Sequence, residues 1–243
     1  MEHRRRSNLI SLLITLFVLN GCHSPTDDAV ISLQNPILES FSKVGDFEMS
    51  CAFESDSIPV RELKFLSAEN VIIEKRYGQL SNLTQYDGNG FPIAIDETWD
   101  IPETYALSYQ KSGDNLKQIW RETSNRHWPF QPETIGDIVR QVTFVVENNV
   151  IKLKIDSGRL VHEEFEYDNL GRLVNNREFI GFGENSKLSE MWTFQYDESG
   201  KLQSATRKEY TGKTEESLNF VNGVVSTYTA SDGRVANCKR KKS

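Results

Sequence analysis

Cysteine and histidine are scarce in this chain: its 243 residues hold three cysteines and four histidines. No CxxC pair and no zinc-type spacing occurs, so the sequence sets up neither a metal site nor a dithiol centre. His162-Glu163-Glu164 lacks the second histidine that a zinc helix needs. It also lies on a stretch that reads as a strand, where His162 is a surface residue. GxSxG, phosphate-loop and calcium-loop patterns are absent. Acidic residues are plentiful, so carboxylate pairs arise by chance and identify no glycosidase without a measured separation. No catalytic residue, metal or cofactor is therefore expected, and the chain is not read as an enzyme.

Basic side chains are also in deficit, with 28 Lys and Arg against 35 Asp and Glu. Without residues 1–21 the remaining 222 carry 25 basic and 34 acidic side chains, net −9. A nucleic-acid binder needs a basic footprint, so nucleic acid is excluded as a partner. The exception is Lys239, Arg240, Lys241 and Lys242, which read as a solvated, frayed basic tail over 239–243.

Long apolar runs are missing but for one. Leu9 to Leu19 is uncharged over 11 residues and follows Arg4, Arg5 and Arg6. A helix that crosses the hydrocarbon needs about 20 residues. A positive start, a short apolar run and a small residue before a cut describe a secretory signal peptide, here residues 1–21.

Leu19-Asn20-Gly21-Cys22 closes that segment and resembles the lipobox of bacterial lipoproteins, with Asn20 departing from the usual pattern. The resemblance implies that the Cys22 thiol takes a diacylglycerol, that a peptidase cuts before it, and that the new amine receives a fatty acid such as palmitate. His23 stands where an Asp would favour the inner membrane. In a Gram-negative cell this implies the outer membrane, facing the periplasm. The other reading of Cys22 is a disulfide partner behind an ordinary signal peptide. With Cys22 lipidated, Cys51 and Cys238 admit one internal bridge; the alternative is two separate thiols. A bridge closing so long a loop stabilises by up to roughly 4–5 kcal/mol on the chain-entropy model.

The remainder is patterned for strands. Residues 22–40 read as a tether, followed by one β domain over 41–238. A short helix starts at Asn35-Pro36, with Ile37, Phe41 and Val44 on one face and Gly45 as its stop. Ile151, Leu153 and Ile155 alternate with Lys152 and Lys154; Phe165 and Tyr167 alternate with Glu164 and Glu166; Trp192, Phe194 and Tyr196 alternate with Thr193 and Gln195. Such period-two alternation puts one face on a core and one in water. Turn signals fall at Asp156-Ser157-Gly158, Asp168 to Gly171, Asp197 to Gly200, Asn222-Gly223 and Asp232-Gly233. A three-residue loop at Asp156–Gly158, with Gly158 left-handed, would set Leu153 opposite Val161. The fold expected is mainly all-β: an antiparallel meander of twisted hairpins with one or two short helices. Ser124 to Gly136 breaks the rhythm as a long loop. Its His127, Trp128 and Phe130 either anchor a partner or plug the end of the core.

One internal repeat stands out. Tyr is followed by Gly four residues on at Tyr86, Tyr109, Tyr167 and Tyr196, and Asp follows the Tyr at 87, 168 and 197. Asp initiates a tight turn and Gly closes it, so the motif has a structural explanation. Tyr167 to Leu173, Tyr-Asp-Asn-Leu-Gly-Arg-Leu, resembles the YD repeats of the RHS family; Tyr196 to Leu202 differs by Lys201 for Arg. RHS proteins build closed shells from very many copies. Four degenerate copies imply the hairpin and not the shell.

Three functional readings follow. The first is a membrane-anchored envelope lipoprotein that binds a protein or glycan partner, or serves structurally, without catalysis. The second is an inhibitor or immunity protein against an envelope-active toxin or hydrolase. The third is an enzyme acting on cell-wall polymer.

Overall fold

The computed structural model describes residues 31, 33–54, 56–97, 103–123 and 135–241. Cys22, His23, His127, Trp128 and Phe130 lie outside the described residues, as does the signal segment. The chain forms one short helix, α1 (Pro36–Ser42), and sixteen strands. The strands are β1 (Phe47–Ala52), β2 (Arg61–Leu66), β3 (Val71–Arg76), β4 (Gln79–Tyr86), β5 (Pro92–Glu97), β6 (Glu103–Ser112), β7 (Asn115–Thr123) and β8 (Ile135–Glu147). After them come β9 (Val150–Asp156), β10 (Val161–Tyr167), β11 (Leu173–Ile180), β12 (Lys187–Tyr196), β13 (Leu202–Glu209), β14 (Thr214–Val221), β15 (Val224–Thr229) and β16 (Val235–Arg240).

Every strand pairs antiparallel with its sequence neighbours, and β1 pairs with β16, so the meander closes into a barrel. Closure leaves no unpaired edge to recruit another chain. Cys51 and Cys238 face each other across the closing seam and are bonded, with their Cα atoms 3.9 Å apart. The connections alternate between two mouths. One mouth carries the β4–β5, β10–β11, β12–β13 and β14–β15 turns and receives α1.

Alternation explains which way each side chain points. In β1, Phe47, Met49 and Cys51 are buried inside while Glu48 and Ser50 face out. Outward positions carry Lys64, Lys75, Lys117, Glu164, Arg177, Lys208 and Asn219, with Ile73 and Ile155 among them. A lipid-facing wall needs an apolar band, and each Lys or Arg at mid-bilayer costs about 2–4 kcal/mol. Here lysines, arginines and glutamates are spread over the outer wall between the apolar residues, so no unbroken apolar band encircles the described strands.

The Tyr-Asp turns share one geometry. Asp168 Oδ1 accepts from the backbone N–H groups of Leu170 and Arg172, both at 2.9 Å, and Asp87 does the same for Asn89 and Phe91. The Asp backbone N–H meets the carbonyl four residues on at Asp87, Asp168 and Asp197. Ala230 and Arg234 make that same bond at 2.9 Å, so Thr229 to Val235 forms a further turn of this shape without Tyr or Asp at its head. Tyr109, by contrast, precedes a two-residue Gly113-Asp114 hairpin, because no Asp follows it to open the wider turn. It still acts as the other tyrosines do. Tyr109, Tyr167 and Tyr196 donate their hydroxyls to the carbonyls of Pro92, Ile151 and Leu173 at 2.7–2.8 Å, joining each strand to a neighbouring hairpin.

The expected tether is packed from Leu33 onward. Leu33 N–H reaches the Asn89 carbonyl, and Gln34 bonds both the Gly171 carbonyl and the Leu173 N–H. Asn35 caps α1 by accepting from Leu38 N–H at 3.1 Å, and Pro36 begins the helix where no N–H is needed. Phe41, 1% exposed, then enters an aromatic cluster with Phe47, Phe65 and Phe220. Ser40 Oγ donates to the Gly223 carbonyl at 3.1 Å. Residues 33–44 thus form a plug seated on the turns of one mouth.

Three expectations need correction. The β9–β10 connection has four residues, Ser157 to Leu160. Val161 pairs with Asp156, Leu153 with Glu164, and Leu160 rather than Gly158 has the positive φ, 55°. Asp156 remains in the strand because its carboxylate is buried and held by Arg140 at 2.5 Å. In β9 a bulge opposite Val145 and Val146 reverses the phase, turning Leu153 and Ile155 outward and Lys154 inward. The basic tail is not frayed through Lys241: Lys239 and Arg240 belong to β16, and Lys241 Nζ bonds Glu48 and Glu62 at 2.8 and 2.7 Å.

Candidate functional site in the barrel lumen

Charged residues line the lumen beneath the plug. Arg61 in β2, Glu74 and Arg76 in β3, Arg207 in β13 and Glu216 in β14 all fall on the apolar phase of their strands. Arg61 shares a face with Leu63 and Phe65, and Glu216 shares one with Leu218 and Phe220. Arg76 Nε donates to Glu74 Oε1 at 2.8 Å and its terminal nitrogen lies 4.0 Å from Glu216. Arg207 donates to Glu190 at 2.6 Å, and Trp192 Nε1 donates to the same carboxylate at 2.7 Å.

Arg61 is 8% exposed and stacks over the Tyr228 ring at 5.4 Å. Its Nε lies 3.1 Å from Glu74 Oε1, an ion pair shielded from water. Burial pushes the Glu74 carboxyl up, and the guanidinium groups of Arg61 and Arg76 more than offset this, so it sits below its ordinary range. Burial raises the Tyr228 hydroxyl to about 12.

These side chains surround a cavity of about 570 Å³ that runs up to Asn35, Ile37 and Phe41 of the plug. A second cavity of about 350 Å³ shares Asn35, Ile37 and Trp192 with it. Its wall includes Gln118, Trp120, Asn176 and the Lys154–Glu163 ion pair. Sizes of roughly 300–1,000 Å³ suit small-molecule sites. Water reaches this band, since the Arg207 and Glu190 side chains are 31% and 24% exposed.

Of the residues singled out in the sequence, Cys51 and Cys238 are joined at the seam and take no part in the lumen. His162 faces outward, stacked on Phe179 at 4.9 Å, with Nδ1 3.2 Å from the Gly181 carbonyl. Among the described residues no group of His, Cys, Asp and Glu is arranged to hold a metal. The lumenal arginines and glutamates escaped the sequence reading. Their signal was a charge in the apolar phase of a strand, as at Glu163 between Val161 and Phe165.

No family model matches the chain, and no curated protein matches it. A solved structure similar to it is a porin-like protein from Bacteroides uniformis ATCC 8492, at 12% identity and TM-score 0.33. The match covers 74% of this chain and 61% of that one, so the chain spans about three-fifths of that protein's length. A likeness of that size carries no argument about function.

Proposed function

We propose that this protein is an envelope lipoprotein whose water-facing β-barrel holds a small polar ligand in its lumen without transforming it. The observation that carries this reading is the pair of cavities beneath the plug, walled by Arg61, Glu74, Arg76, Arg207 and Trp192. A barrel built only for scaffolding gains little from such a band. Buried ion pairs are often no more stabilising than apolar packing of the same volume, so a charged lumen points to recognition. The charged outer wall argues that membrane attachment comes from lipid on Cys22 and not from the strands. The plug ties Leu33 and Gln34 to one mouth, so a lipid on Cys22 would tether the barrel from that side.

Native mass spectrometry of the full-length protein purified from its envelope tests the lumenal reading. A bound small-molecule mass that is lost on Arg61→Ala supports it. A bare protein mass, or a bound mass indifferent to that substitution, refutes it.

A further inference from the structure

We infer that the lumenal ligand is a short, uncharged sugar, an assignment that rests on reading the lumen as a binding site. The chemistry of the wall selects it. Arginine offers only donors and an ionised glutamate only acceptors. Around the larger cavity the two alternate: Arg61, Glu74 and Arg76 on one side, Arg207 and Glu216 on the other, with Asn82, Thr84 and Tyr86 toward the plug. A ligand that satisfies such a wall must donate and accept from adjacent atoms. Neighbouring hydroxyls on a sugar ring do so.

Charge sorts the alternatives. Arg61, Arg76 and Arg207 face Glu74 and Glu216, and Glu190 holds Arg207 at 2.6 Å, so the wall is close to neutral. A phosphate or polycarboxylate would be attracted by three guanidinium groups but would displace carboxylates already bound to them. A cation would meet the arginines. A neutral polyol leaves the ion pairs in place and takes up their spare valences. Arg61 is the most buried of these groups, paired with Glu74 at 3.1 Å and stacked over Tyr228 at the cavity wall.

Trp192 adds the apolar part. It lines both cavities and is held by its indole N–H to Glu190, leaving its ring as wall where the cavities adjoin. Aromatic rings of this kind offer an apolar face beside a polar edge, matching the C–H face and hydroxyl rim of a pyranose.

Calorimetric titration of the full-length chain in detergent tests the assignment. The probes are cellobiose, maltose, lactose and diacetylchitobiose, with inorganic phosphate and pyrophosphate as anionic controls. At least one disaccharide should bind in the sub-millimolar range. Arg61→Ala should weaken it by about tenfold or more, the usual cost of losing a charge-assisted hydrogen bond. Glu216→Gln, which preserves volume, should weaken it as well if Arg61→Ala fails to fold. Binding of the phosphates in preference to the sugars overturns the assignment, as does absence of sugar binding at the solubility limit, or sugar binding unaffected by either substitution in folded protein. A native mass that is bound in the lumen but is not a sugar overturns this assignment while leaving the lumenal reading intact.

Discussion

Tyr196 donates its hydroxyl to the backbone carbonyl of Leu173 at 2.8 Å, reaching from the end of β12 to the start of β11. Arg172 stacks over the same ring at 4.6 Å while its guanidinium forks onto Asp168. Consecutive Tyr-Asp turns are therefore joined by three groups of one motif. Tyr196→Phe removes this donor to the Leu173 carbonyl and should destabilise the barrel by about 0.5–1.5 kcal/mol. Equilibrium urea unfolding measures this, and Tyr167→Phe, which removes the hydroxyl donor to the Ile151 carbonyl, should show a loss of similar size.

The Asp carboxylates of these turns give stability an acid limb. Backbone and side-chain hydrogen bonds from Arg172 hold Asp168 below its ordinary value of 3.8, and the backbone N–H of Lys201 leads the same effect at Asp197. Because the folded-state values are depressed, their contribution is complete above that ordinary range and is lost as pH falls through the folded-state values. Urea midpoints taken through the acid range should fall steeply for the native protein. They should fall less steeply for the Asp168→Asn, Asp197→Asn double variant.

The plug depends on close approach at two glycines. A Cβ at Gly90 would lie 2.5 Å from the Leu33 carbonyl oxygen, and one at Gly223 would lie 2.8 Å from Val44. Gly233 has the same positive φ, 83°, but nothing within 4 Å. Alanine at Gly90 or Gly223 should loosen the plug and speed amide exchange in residues 33–44. Gly233→Ala should cost only the backbone strain and leave plug exchange unchanged. Phe41→Ala should remove about 3–5 kcal/mol from the same seat.

The seam has its own test. Cys51–Cys238 closes a separation of 187 residues and joins the first strand to the last. Replacing both by serine should lower unfolding stability by up to roughly 4–5 kcal/mol. Adding reductant to the native protein should reproduce that loss, and reductant should not affect the double variant.

The lipid anchor is tested at Cys22. Cys22→Ala should abolish labelling by a fatty-acid analogue and stop maturation; continued labelling of the variant would refute the anchor.

Much of this fold is written in period-two patterns. Phe165 and Tyr167, or Trp192 and Phe194, reveal their strands and inward faces without further help. The Asn35-Pro36 helix start is equally local. Three kinds of information are not local. The β9 bulge reverses Lys154 through a partner strand that the sequence of β9 does not name. Closure of sixteen strands into a barrel depends on summed twist and on the β1–β16 pairing, which joins the two ends of the folded chain. The lumenal site gathers Arg61, Arg207 and Glu216 from strands far apart in sequence. Only their apolar phase marks them, and a surface charge beside a bulge gives the same signal.

The lumenal claim can be tested directly by placing a photo-crosslinking amino acid at Trp192, which lines both cavities, and separately at its outward neighbour Thr193. Both variants are irradiated in the intact envelope. The expected result is a small-molecule adduct at position 192 and none at 193. No adduct at 192, or the same adduct at both positions, would contradict a ligand-binding lumen.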